Sequence, residues 1–146
     1  MTVDLYMLCD RPLISVGEWQ TAIDNLGFDI RLPADLDVET ARGALTASWR
    51  GEPVVFEFWP FEFDDIKDTY PDLDFGQTWP NAYVTYTGAS FGGFAGAVMA
   101  GVALVHCTGG RFFEPQDSRI LKPDDAVRLA HQTVDEVLAM MRSSHR

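Results

Sequence analysis

At 146 residues, 47% of them hydrophobic and 12% aromatic, the chain is long enough to bury a full core as one domain and too apolar to remain disordered. Its formal net charge of −11 excludes the basic patch that phosphate backbones demand and opposes binding to anionic membrane surfaces. The charge is unevenly placed: residues 1–75 hold 16 of the 22 acids and five of the 11 bases, whereas residues 76–146 hold six of each.

Two cysteines, Cys9 and Cys107, fall in apolar runs without metal-ligand spacing. They read as reduced thiols, which predicts a cytoplasmic protein without a disulfide framework. Asp4 stands where a secretory leader carries positive charge, so no export signal is expected. The pattern predicts a single globular domain over 1–146, with no repeat and no linker.

In chain order, Val3, Leu5, Met7 and Cys9 share one face of a predicted central strand. Ser15-Val16-Gly17-Glu18 is a capping box with Ile14 and Trp19 at the staple positions. Trp19, Ala22, Ile23 and Leu26 then recur at helical spacing and Gly27 offers a left-handed cap, which predicts a helix over 16–26. Residues 28–32 read as a short strand stopped by Pro33, and 35–43 as polar turns. Residues 44–50 and 53–59 read as a hairpin through Gly51-Glu52, with Leu45, Ala47 and Trp49 alternating against Thr46, Ser48 and Arg50.

From Pro60 to Pro80 the periodicity fades while aspartates, aromatics and prolines accumulate. A stretch this long is either a functional loop or an element whose pattern is hidden. Residues 81–87 read as another strand. Ala89–Cys107 follows, uncharged and built mostly of Ala, Gly and Val. It has the length of a membrane span and small-xxx-small spacing at Gly92/Gly96 and Ala97/Gly101. Its glycines and the lack of flanking Lys/Arg asymmetry predict a buried core helix instead. A last strand over 110–114, a turn at 115–118 and a helix opened by Pro123-Asp124-Asp125 complete the chain. Val127, Ala130, Val134, Val137, Leu138 and Met141 stripe that helix, and its final residues are expected to fray.

The order β-α-β-β-β-(loop)-β-α-β-α predicts an α+β fold: a mixed, largely antiparallel sheet of about five to six strands with three helices packed mainly on one face. Were the strands near 84 and 112 parallel neighbours, the crossover through the apolar helix would be right-handed.

Motifs for chemistry are few. His106-Cys107-Thr108-Gly109-Gly110-Arg111 is similar to the start of the protein tyrosine phosphatase loop, His-Cys-x5-Arg, but the position six after Cys107 is Phe113 and the arginine falls two residues early. Asp72-Leu73-Asp74-Phe75-Gly76 starts like an EF-hand loop and then fails, with Gly76, Gln77 and Tyr83 at positions five, six and twelve. An irregular calcium site from Asp64, Asp65, Asp68, Asp72 and Asp74 is the residual cation reading. His106, His131 and His145 lack metal spacing, and no nucleophile elbow, phosphate loop or dinucleotide fingerprint occurs. The sequence thus assigns no catalytic residue, no metal and no cofactor.

The informative feature is an acidic-aromatic run. Residues 52–74 carry eight acids against Lys67, a local charge of −7, interleaved with Phe56, Phe58, Trp59, Phe61, Phe63 and Tyr70, with Phe75 and Trp79 just beyond. One reading turns the aromatics inward and the acids outward. The other makes a face for a basic protein, with Trp59, Phe61 and Trp79 as anchors and Glu57, Glu62, Asp64, Asp65, Asp68, Asp72 and Asp74 steering association. In type, though in no motif, such a face is similar to that of small acidic bacterial immunity proteins. The alternatives are an enzyme with carboxylates in a cleft under the 60–80 loop, and a homo-oligomer that uses the aromatics as its own interface.

Overall fold

Val3–Cys9 forms β1, and its alternation places Leu5, Met7 and Cys9 on one side of a sheet and Tyr6 and Leu8 on the other, all buried. Only an interior strand buries both sides, as the sequence predicts for this segment. The structure is a computed structural model that describes residues 2–144; His145 and the end of the expected frayed tail lie outside them.

The other elements are α1 (Val16–Asn25), β2 (Ile30–Arg31), β3 (Gly43–Trp49), β4 (Glu52–Phe61), α2 (Phe63–Thr69), β5 (Asn81–Thr87), α3 (Phe91–Thr108), β6 (Arg111–Glu114), a short 3-10 turn (Pro115–Asp117), β7 (Arg119–Leu121) and α4 (Pro123–Ser144). The fold is α+β. Its seven strands run in the order β2-β3-β4-β5-β1-β6-β7, and every neighbouring pair is antiparallel. The sequence predicts a largely antiparallel sheet of about five to six strands; the structure has one strand more and no parallel pair. β7 escapes the sequence because three residues after a turn carry no periodicity. β5 and β6 are not neighbours, since β1 lies between them.

Three helices, α1, α3 and α4, cover one face, as expected. α3 lies at its centre and, apart from half-buried Phe94, is buried from Gly93 to Val105. Its length and composition would suit a membrane span, but 72% of it is buried inside the fold. Small residues explain how closely it sits on the sheet. A Cβ on Gly93 would come within 2.6 Å of the Val55 carbonyl oxygen, so only glycine allows the first turn of α3 to rest on the β4 backbone. α1 docks through Trp19, whose indole N–H donates to the Ala100 carbonyl at 2.8 Å and whose ring lies 4.9 Å from that of Phe58. One half of the capping box forms: Ser15 Oγ accepts from the Glu18 N–H at 3.0 Å, while the Glu18 carboxylate accepts from the Ile14 N–H, one residue before the cap, at 3.0 Å. The staple does not, because Ile14 is 65% exposed.

The fourth helix, α2, was hidden in the 60–80 stretch. It lies over the opposite face, where Phe63 and Ile66 pack on Tyr6, Leu8, Ala82, Val84 and Phe113.

Candidate functional site

Trp59 and Phe61 sit on the far face of β4, away from the three helices, and Glu62 turns the chain into α2. That helix is brief for local reasons. Glu62 supplies no side-chain cap, and Phe63 and Ile66 are its buried apolar residues. Asp64 and Asp65 occupy its first turn and Lys67 its last, the order the helix dipole favours.

Phe63, Phe75 and Phe113 meet edge-on, with centroids 5.5 Å (Phe63–Phe75) and 5.1 Å (Phe75–Phe113) apart, and Tyr70 stands 5.0 Å from Phe113 in the same manner. These aromatics roof the strip of sheet formed by β5, β1 and β6. The sequence places Trp79 among the partner anchors, and here the structure corrects it. Trp79 is 5% exposed, its indole N–H donates to the Phe75 carbonyl at 2.8 Å, and the Arg111 guanidinium lies 5.5 Å above its ring. Trp59 and Phe61 remain half-buried. The cleft required for an enzyme under residues 60–80 is filled by the same side chains. Five cavities of 200–540 Å³ open elsewhere, and none is lined by residues 55–87. A self-interface built on the aromatic run likewise loses Phe63, Phe75 and Trp79 to the interior.

The acids behave as the sequence suggests. Glu57, Glu62, Asp64, Asp65, Asp68, Asp72 and Asp74 are all exposed, and none forms an ion pair among the described residues. Lys67 is turned inward: its ammonium donates to the Leu73 carbonyl at 2.6 Å and the Pro71 carbonyl at 3.3 Å, and lies 5.5 Å from the Phe75 centroid. It braces the roof and leaves the carboxylates unneutralised. Among the described residues no three His, Cys, Asp or Glu side chains are placed to share a metal ion.

Register extends this surface. Asp4 pairs with Tyr86, Tyr86 with Glu57 and Glu57 with Ala44, one row across four strands on the far face. Burial raises the Asp4 carboxyl above its ordinary value, and burial, then the Asp4 charge, raises the Tyr86 hydroxyl. Beyond this row the β3–β4 end has no roof, and Val55 is 51% exposed there. Asp4, Tyr86 and Val55 are absent from the sequence-based site because their membership depends on strand pairings that a single strand does not encode. The alternation of β1 places Asp4 on the right face and no more.

The Cys107 region has no phosphatase geometry. Arg11 contacts the Glu18 carboxylate and donates to the Cys107 carbonyl at 2.9 Å, which ties the end of β1 and the start of α1 to the end of α3. Hydrogen bonding to Arg11 holds the Glu18 carboxyl below its ordinary value. Burial pushes the Cys107 thiol up to about 11 and the Cys9 thiol up to about 12, the opposite of an activated thiolate. Arg111 lies on the far face over Trp79, away from any phosphate cradle at Cys107.

The largest of the five cavities, 540 Å³, lies on the helical face between the start of α3 and α4. Behind it, Thr85 and Thr87 are buried with hydroxyls that find no partner among the described residues, each at a cost of about 1–3 kcal/mol. No family model, curated protein or solved structure matches this chain.

Proposed function

We propose that this chain is a small cytoplasmic protein-binding domain whose acidic far face engages a basic protein. One observation carries the reading: seven exposed carboxylates without ion-pair partners border a strip of sheet where Trp59, Phe61 and Val55 remain accessible. Carboxylates gathered in this number without neutralising cations repel one another. They do raise the encounter rate with a cationic surface. Half-buried aromatics beside them supply the desolvated contact that holds a complex once it forms. Trp59 is pre-set for this role, because its indole N–H is held by Glu57 at 3.1 Å.

An immunity-like role, in which the face masks a basic toxin, is the specific form of this proposal. It rests on size and acidity, and a toxin gene adjacent to the coding sequence would support it. The direct experiment measures association with candidate basic proteins at low salt and again at about 0.15 M, where the Debye length is about 8 Å. The Asp64→Asn/Asp65→Asn/Asp68→Asn variant is expected to associate about tenfold more slowly at low salt with little change in dissociation. Association rates that ignore both salt and the three substitutions would refute electrostatic steering by this face.

A further inference from the structure

We infer that the 540 Å³ cavity between the start of α3 and α4 binds a small amphipathic amine: an apolar body carrying a protonated nitrogen. The site is on the helical face, remote from the acidic roof, and stands independently of the function proposed above. Its volume falls within the roughly 300–1,000 Å³ of small-molecule pockets. Leu5, Val98, Phe112 and Val137 give it an apolar lining, and Phe91 and Met140 flank it with partly exposed apolar side chains.

Charge selects the class of ligand. The cavity is lined by three carboxylates, Glu114, Asp117 and Glu136, and by one cation, Arg119, a net formal charge of −2. Arg119 is already engaged: its Nε donates to Glu114 Oε2 at 3.2 Å and its Nη2 meets Asp117 Oδ2 at 3.2 Å. An acidic ligand would therefore meet a lone cation already shared between two carboxylates. The partial charge of about +0.5 at the start of α3 does not reverse that balance.

Glu114 is the decisive group. It is 8% exposed, and carboxylates are seldom buried so deeply unless paired. Oε2 accepts from Arg119 and from the Asp117 N–H, whereas among the described residues Oε1 accepts only from that same N–H at 3.3 Å and keeps acceptor capacity for another donor. An ammonium group donates to that free acceptor position, while its apolar tail covers the remaining lining.

The test titrates the full chain with phenylbutylamine, phenylbutanol and phenylbutyrate, and follows the methyl NMR signals of Leu5, Val98, Leu129 and Val137. The amine is expected to shift these signals saturably and to bind at least about tenfold more tightly than the acid, a difference of about 1.4 kcal/mol. Glu136→Gln, an exposed substitution at the rim, should narrow the gap between amine and alcohol. Leu129→Trp, which fills the space, should abolish the shifts while the circular dichroism spectrum stays native. If Leu129→Trp does not fold, the Glu136→Gln comparison still decides. Equal affinity for amine and acid, shifts confined to other residues, or no saturable shift with any probe would each overturn the inference.

Discussion

Phe112 and Phe113 are neighbours in β6, both fully buried, and they face opposite sides of the sheet. Phe112 meets α3, a helix so rich in small residues that a Cβ on Gly101 would stand 3.2 Å from the Phe112 ring. Phe113 meets Phe75 and Tyr70 from a segment with only seven helical residues. On the helical face, burial comes from long elements of small and aliphatic residues that leave little sheet exposed. On the far face it comes from a few large rings that cover half the sheet and leave the β3–β4 end open. The same strand alternation thus yields a closed side and a side that combines a core with an exposed acidic rim. The acid-rich run of residues 52–74 supplies that rim.

The comparison can be broken at the point where the faces join. A Cβ on Gly110 would lie 1.7 Å from the Leu8 carbonyl oxygen, against the backbone of the central strand. Gly110→Ala should therefore displace β6 from β1 and disrupt both cores, at a cost of about 3 kcal/mol or more, measured as a loss of cooperative urea unfolding.

Phe112→Ala and Phe113→Ala weigh the two faces against each other. Each should cost about 3–5 kcal/mol by chemical denaturation. A cost for Phe113→Ala below about 1 kcal/mol, within the range of surface substitutions, would mean that the far-face core contributes little stability.

A finer division lies within the far face. Trp79→Ala should lower stability by about 3 kcal/mol, as a buried ring does. Trp59→Ala should cost less than about 1 kcal/mol and act on partner binding instead. Reversal of that order would return Trp79 to the surface role its sequence context suggests.

The smallest effects are on pH dependence, and they have opposite signs. The Glu18 carboxyl is held below its ordinary value of 4.5 by Arg11. Its stabilisation is present above that value and lost as pH falls through the folded pKa. Glu18→Gln should therefore melt lower than the parent at neutral pH, with the gap closing on acidification. Burial raises the Asp4 carboxyl above 3.8, so its contribution is present below that value and is lost as pH rises through the folded pKa. Asp4→Asn should gain on the parent in melting temperature as pH rises from there toward neutrality.

The helical face was the more legible in sequence. The capping box, the left-handed glycine at Gly27 and the uncharged run of α3 are local signals, and local signals survive without knowledge of pairing. The far face depends on contacts that have none. α2 has two buried apolar residues three apart and no side-chain cap, too little for a period to emerge from a run dense in aspartate and proline. The acids of the site were readable as exposed because each is charged and unpaired. Which aromatics accompany them at the surface was not, since Trp59 and Trp79 differ only in what the folded chain places over them.

The central claim is that the exposed acids of β4 and α2 form a docking face for a cationic protein. Backbone amide NMR during titration with a cationic partner at low salt tests it most directly. Shifts are expected to cluster on residues 55–74 and Tyr86 and to weaken together in the Asp64→Asn/Asp65→Asn/Asp68→Asn variant. Shifts centred on the exposed acids of α4, Asp124, Asp125, Asp135 and Glu136, and unchanged in that variant would contradict it.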